Sequence, residues 1–320
     1  MNPFVSNFLL LVAGVGILYF GAEWLVRGAA RMASSLGISP IVIGLTVVSM
    51  GTSAPELVVA MMAAVGGNSD LAIGNVMGSN LANIGLILGL TAVIRPLEVS
   101  FRVVKREVPI MLAMTLLLYP LMWNGVLDLF DGVILLGALG LYLFFVNKTV
   151  GDEKDEVLKE YDGALALQSR FKLRGRDIGL VVGGSLGLVI GGTAIVKSAE
   201  FLAVAFGIPD MIIGLTVVAI GTSLPELATS LVAAMRREAD IAVGNIIGSN
   251  IFNIGLILGA TSIVTPISIA PQVLREELPA VLVLSILVLP VTRSAMQVRR
   301  WEGAVLLASY VATGVWLFHL

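Results

Sequence analysis

The 320 residues include no cysteine, and the single histidine is the penultimate residue, His319. Disulfide and thiolate chemistry are therefore closed to the chain, and a soft-metal centre has almost nothing to be built from. Charge is also scarce. Only 13% of residues are Asp, Glu, Lys or Arg, while 57% are apolar, with a mean hydropathy of +0.97. A soluble domain carries about a quarter charged residues, so a soluble enzyme, a disordered scaffold and a secreted disulfide module are all excluded. No Ser/His or paired-Asp arrangement points to an intramembrane enzyme, and nothing calls for a cofactor. The net charge of −2 gives no indication of nucleic acid, and no obligate protein partner is evident. What is present in quantity is long apolar sequence. The runs approach 20 residues instead of alternating over about 10, which favours helices over an outer-membrane barrel.

The pattern predicts an all-α polytopic membrane protein with ten transmembrane helices. They lie near Val5–Gly28, Ile38–Val65, Leu71–Ile94, Val108–Trp123, Val126–Val146, Ile178–Ala205, Ile208–Met235, Ile241–Thr265, Leu278–Pro290 and Ala304–Phe318. The first span has no basic stretch ahead of it and no cleavage site after it, so it is read as retained. With both termini outside, eighteen of the twenty Lys and Arg residues fall on inner connections, and only Lys197 and Arg275 fall outside. That is a strong positive-inside bias, and a miscount by one span would scatter it. Trp24, Trp123 and Trp301 sit near expected helix ends, where an aromatic belt belongs.

One half of the chain repeats the other. Gly37–Ser100 aligns without a gap on Gly207–Ala270, at a constant offset of 170, with 32 of 64 positions identical. IGLTVVSMGTSAPEL becomes IGLTVVAIGTSLPEL, and AIGNVMGSNLANIGLILG becomes AVGNIIGSNIFNIGLILG. The organisation that follows is a first five-helix repeat over 1–146, a cytoplasmic linker over 147–176 and a second five-helix repeat over 177–320. Five is odd, so the second copy enters the membrane from the opposite side. Inverted repeats of this kind characterise secondary transporters, with the site near the midplane where the copies meet. The linker carries acidic residues in its first half and basic residues in its second, and its acidic cluster lacks EF-hand spacing.

Two carboxylates lie deep in these spans, Glu56 and Glu226, at equivalent repeat positions. A charge at the bilayer centre costs about 2.5–3.5 kcal/mol even on the lenient insertion scale, so such residues face an interior and mark an ion or proton path. Ser49, Thr52, Ser53 and Glu56 share one helix face; the second copy has Ala219, Thr222, Ser223 and Glu226. Pro55 and Pro225 remove a backbone donor and release the carbonyls of Gly51 and Gly221, which lipid cannot satisfy. The next span adds Asn75, Ser79 and Asn83, and its twin adds Asn245, Ser249 and Asn253, a stripe that can also serve as interhelical glue. Every donor is a hard oxygen. Calcium, with six to eight oxygens in a flexible cage, suits the set better than magnesium.

The paired GTSxPEL and GNxxGSNxxNIGLILG segments resemble the alpha repeats of the calcium/cation antiporter superfamily, and most of all its prokaryotic sodium/calcium exchanger branch. The resemblance implies cation ligands at Glu56, Glu226, Thr52, Ser53, Ser79, Asn83, Thr222, Ser223, Ser249 and Asn253, with main-chain carbonyls from Ser49 and Ala219. It implies four cation sites at the repeat interface, and a first and sixth helix that move across the remaining bundle. Several members carry Asp where this chain has Asn253, so the site holds two carboxylates here, which weighs against potassium co-transport. The expected function is a Ca²⁺/Na⁺ antiporter of a prokaryotic plasma (inner) membrane, electrogenic, with at least three Na⁺ per Ca²⁺. Its partners are Ca²⁺, Na⁺ and the lipid bilayer. The alternative is Ca²⁺/H⁺ exchange, because glutamates also carry protons; a passive cation channel fits an inverted repeat less well.

Overall fold

The computed structural model describes residues 3–160, 175–206 and 219–318. His319, the second half of the linker and the start of the expected seventh span lie outside the described residues. The described chain is helical throughout, apart from four two-residue strands. Helix α1 is Pro3–Leu36, followed by α2 Pro40–Thr52, α3 Ala54–Val65 and α4 Ser69–Ile94. Next come α5 Val108–Met122, α6 Leu129–Glu160 and α7 Gly175–Ala205. The last five are α8 Ala219–Thr222, α9 Leu224–Met235, α10 Ala239–Val264, α11 Leu278–Arg293 and α12 Arg300–Phe318. Among the described residues five of these (α1, α4, α6, α7 and α10) are long and apolar enough to cross a bilayer, and α2 with α3 makes a sixth if the bent pair counts as one span.

Helix α1 runs eight residues past its expected end. Nothing in the sequence breaks it before Gly37, and Gly28, Ala29 and Ala33 are small enough to stay packed. Gly37, at φ +65°, then closes the helix with a Schellman motif. Its N–H donates to the Ser34 carbonyl, and that of Ile38 to Ala33 at 3.0 Å. Along its length α1 turns Phe8, Val12, Val15, Tyr19 and Phe20 outward and buries Gly14, Leu18, Gly21 and Leu25. The buried stripe lies against α7 through glycines on both helices. A Cβ on Gly184 would stand 2.5 Å from the Leu25 amide nitrogen, and one on Gly21 would stand 2.7 Å from that of Leu188. The two backbones touch, so α1 and α7 form one tight pair.

The other helices are clasped at their ends. β1 (Leu97–Glu98) pairs antiparallel with β4 (Gln297–Val298), tying the segment after α4 to the one before α12. β2 (Val126–Leu127) pairs with β3 (Ile267–Ser268), tying the segment before α6 to the one after α10. Neither clasp involves α1 or α7. Helix α10 is the most enclosed, with both its polar stripe and its aliphatic residues buried. Among the described residues five stretches are π-helical: 44–48, 82–88, 103–107, 253–258 and 273–277. Nothing in the hydrophobic pattern announces them. π-segments gather at functional sites, and two of these hold Asn83 and Asn253.

Candidate functional site

Both signature motifs break a helix. α2 ends at Thr52, Ser53 takes φ −82° and ψ 5°, and α3 begins at Ala54, bent by 44° from α2. Ser223, at φ −86° and ψ 5°, separates α8 from α9 in the same way. Pro55 and Pro225 account for the break: each sits at the start of the new helix, where its missing N–H costs nothing. Glu56 and Glu226 therefore stand in the first turns of α3 and α9. There the positive end of the helix dipole stabilises a negative charge. Both are 1% exposed, and they are near enough for their carboxylates to repel one another.

The two motifs reach across to each other's carboxylate. The Ser53 hydroxyl donates to Glu226 Oε1 at 3.2 Å. The Ser223 hydroxyl lies beside the Glu56 carboxylate and 3.3 Å from Ser79 Oγ. The threonines reach across to the asparagine stripes. Thr52 Oγ1 donates to Asn245 Oδ1 at 3.0 Å and lies 3.5 Å from Ser249 Oγ; Thr222 Oγ1 stands 3.5 Å from Asn75 Oδ1. Each asparagine amide also donates to a main-chain carbonyl at the break, Asn75 to Glu56 at 3.2 Å and Asn245 to Glu226 at 3.4 Å. Thus Asn75 and Asn245 serve as the glue that their stripe allowed, and they hold the broken helices in place.

The buried side-chain oxygens without a hydrogen-bond partner among the described residues include four from the expected ligand set: Glu56 Oε2, Glu226 Oε2, Asn83 Oδ1 and Asn253 Oδ1. A buried acceptor without a partner is costly. Two equivalent pairs of them, all acceptors, form a set suited to a hard cation. No group of three or more Asp, Glu, His or Cys side chains forms a metal cluster among the described residues. The set is thus two carboxylates supplemented by neutral oxygens.

The expected ligands do not all behave alike. Thr52, Ser53, Ser79, Asn83, Ser223, Ser249 and Asn253 are buried around the two breaks. Thr222 is there too, but part-exposed. Ser49 turns its hydroxyl to the Gly44 carbonyl at 2.7 Å, and its own carbonyl already accepts from the Ser53 N–H at 2.9 Å. It closes the seam between α2 and α10. Ala219 opens α8, directly after undescribed residues. Asn80 joins the site without having been expected there, although it lies inside the doubled GSN motif; it accepts from Asn253 Nδ2 at 3.0 Å. The two sides of the site also differ in exposure. Thr52 and Asn245 are fully buried, whereas their counterparts Thr222 and Asn75 are partly exposed.

The family model for sodium/calcium exchanger proteins matches residues 6–148 and 177–318. The chain belongs to the sodium/calcium exchanger family. It is 38% identical over 316 residues to the inner membrane protein YrbG of Escherichia coli, covering 97% of this chain and 95% of that one. It is 34% identical to the sodium/calcium exchanger MaX1 of Methanosarcina acetivorans, covering 98% and 99%. Among solved structures it is similar to the sodium-calcium exchanger NCX_Mj soaked with Na⁺ and Sr²⁺, with a TM-score of 0.82, 31% identity and coverage of 97% and 98%. As a member of this family the chain is a multi-pass membrane protein and a cation antiporter, and these relatives are transport or membrane proteins, not enzymes.

Proposed function

We propose that the chain exchanges Ca²⁺ for Na⁺ across a prokaryotic plasma membrane, by alternating access at a midplane site built on Glu56 and Glu226. The four donorless buried oxygens carry this reading, because two carboxylates and two amide carbonyls from equivalent positions make a charge-neutral seat for one Ca²⁺. The remaining ligands are Thr52, Ser53, Ser79, Thr222, Ser223 and Ser249, with the Ala219 carbonyl. Emptying the seat leaves two close anions in a low-dielectric interior, which is unfavourable. The carrier therefore returns loaded with other cations, and exchange is obligatory.

The architecture in this reading is ten spans in two inverted five-helix repeats, 1–146 and 177–320, with the linker 147–176 in the cytoplasm and both termini outside. Contacts between distant connections support it. β1–β4, the Arg95 bond to the Met235 carbonyl at 3.1 Å and the Ser35–Asp177 contact at 3.5 Å all join segments assigned to the inside. β2–β3 and the Ser268 amide bond to Ser69 Oγ at 3.1 Å join segments assigned to the outside. The partly exposed Asn75 and Thr222 lie on the outer side of the breaks, and the sealed Thr52 and Asn245 on the inner side, so the structure corresponds to an outward-facing form. Opening the inner side is the work of the α1–α7 pair, which lies outside both clasps and moves as one body.

Energetics fix the coupling. Expelling Ca²⁺ against a gradient of about 10⁴ costs about 5.6 kcal/mol, and moving two charges against about 100 mV adds about 4.6 kcal/mol. Each Na⁺ entering down a tenfold gradient and the same potential returns about 3.7 kcal/mol. Two fall short and three suffice, so exchange carries net current. The test is ⁴⁵Ca²⁺ uptake into proteoliposomes loaded with Na⁺, with K⁺ or with acidic buffer. Uptake driven by internal Na⁺ and accompanied by current supports the proposal. Uptake driven by the pH jump alone replaces it with Ca²⁺/H⁺ exchange, and uptake with no counter-cation replaces it with a channel.

A further inference from the structure

We propose that Asn80 is a positioning residue that orients the Asn253 amide so that its carbonyl oxygen, and not its NH₂, faces the transported cation. The inference rests on the Ca²⁺ site proposed above. An amide is an ambivalent ligand: one end accepts, and the other donates and repels a cation. A carboxylate at this position could present an oxygen either way; Asn253 cannot, and something must decide which end points inward. In the structure Asn253 Nδ2 donates to Asn80 Oδ1 at 3.0 Å, and both residues are 1% exposed. The amide is planar and rigid, so committing its nitrogen to Asn80 commits its oxygen to the other side. That oxygen is one of the four buried expected-ligand oxygens left without a donor among the described residues.

The brace is built on one side of the site. Symmetry would pair Asn83 with Asn250 in the same way. Asn250 instead donates to the Ile246 carbonyl of its own helix at 2.7 Å, and its Oδ1 has no donor. Asn80 also holds its own Nδ2 without an acceptor, in full burial. A residue serving packing alone would be better replaced by an apolar side chain of like size. An asparagine here makes sense as the acceptor that Asn253 requires.

The test uses the purified full-length chain in detergent, with Ca²⁺ as the probe and the Ca²⁺-dependent rise in melting temperature as the readout. Asn80→Leu removes the acceptor at similar size, and Asn80→Ala removes it with less bulk. Each variant is made alone and together with Asn253→Ala. Either variant should raise the apparent Kd for Ca²⁺ about tenfold in the wild-type background and leave it unchanged once Asn253 is Ala, because sites acting through one another are not additive. An unchanged Kd, or the same tenfold loss with and without Asn253, overturns the proposal. So does misfolding of both Asn80 variants while Asn253→Ala folds, since that assigns Asn80 to the core. Wild-type protein that binds Ca²⁺ but fails to exchange it for Na⁺ defeats the functional reading alone. Wild-type protein that binds no Ca²⁺ defeats both.

Discussion

At the scale of single residues, the site depends on hydroxyls and amides that cross between the two halves. Thr52 shows how much one such group carries. Its hydroxyl is the donor to Asn245 Oδ1, and both are fully buried. Thr52→Val keeps the shape and strands that acceptor, a loss of about 1–3 kcal/mol. Thr222→Val should cost clearly less, because its contact with Asn75 is 3.5 Å long and partly exposed. Thermal unfolding of the two variants in one detergent checks the order; equal losses would contradict the asymmetry. The glutamates were legible in the sequence because an acid is costly inside an apolar span, and the chain carries one at the same place in both repeats. The crossed pairing was not, since Thr52 and Asn245 are 193 positions apart and meet only in the folded chain. Asn80 was missed for a related reason, because its role lies in where it turns a neighbour's amide.

At the scale of elements, small residues line the buried stripes of α1 and α7, with Gly14 and Gly21 on one and Gly184 and Gly191 on the other. They face each other. A Val at Gly184 would push its Cβ to within 2.5 Å of the α1 backbone at Leu25, with nothing flexible to yield. Gly184→Val should therefore separate α1 from α7 and lower the yield of monodisperse protein severely. Gly179→Val, in a glycine with open space beyond it, should be tolerated; size-exclusion profiles compare the two. The pair is also tied to the rest of the protein by charge. Glu23 of α1, nearly buried, pairs with Arg27 at 2.6 Å and with Arg236 just beyond the end of α9. Arg236 lies at the end assigned to the inside, so this contact helps keep the inner side shut. Glu23→Gln weakens it and shifts the population toward inward-facing forms. The Km for Ca²⁺ should fall at the cytoplasmic face and rise at the outer face, measured in vesicles of opposite orientation. Equal shifts at both faces would refute the latch. The helix breaks at Ser53 and Ser223 could be anticipated from Pro55 and Pro225. The π-segments could not, because nothing in the hydrophobic pattern of 44–48, 82–88, 103–107, 253–258 or 273–277 sets them apart from ordinary helix.

At the scale of the whole molecule, orientation follows from where the basic residues fall. The two repeats differ in this respect at equivalent places. Glu107 is fully buried between Arg102 at 3.2 Å and Arg106 at 2.7 Å. The corresponding neighbours of Glu277 are Gln272 and Glu276. In the proposed orientation one copy thus flanks its glutamate with two arginines at the inner face, and its twin at the outer face keeps Arg275 alone. Because the chain has no cysteine of its own, orientation can be read with single introduced thiols. Asn124→Cys should react with an impermeant maleimide on intact cells, and Arg300→Cys only after the cells are opened. The reverse pattern would invert the topology and with it the assignment of the sealed and open sides. The central claim is tested most directly by equilibrium ⁴⁵Ca²⁺ binding to the purified chain and to Glu56→Gln and Glu226→Gln. The account predicts one Ca²⁺ per wild-type chain, displaced by Na⁺, with affinity lowered at least about a hundredfold in either variant, the effect of breaking a buried charge pair; undiminished binding in both would contradict it.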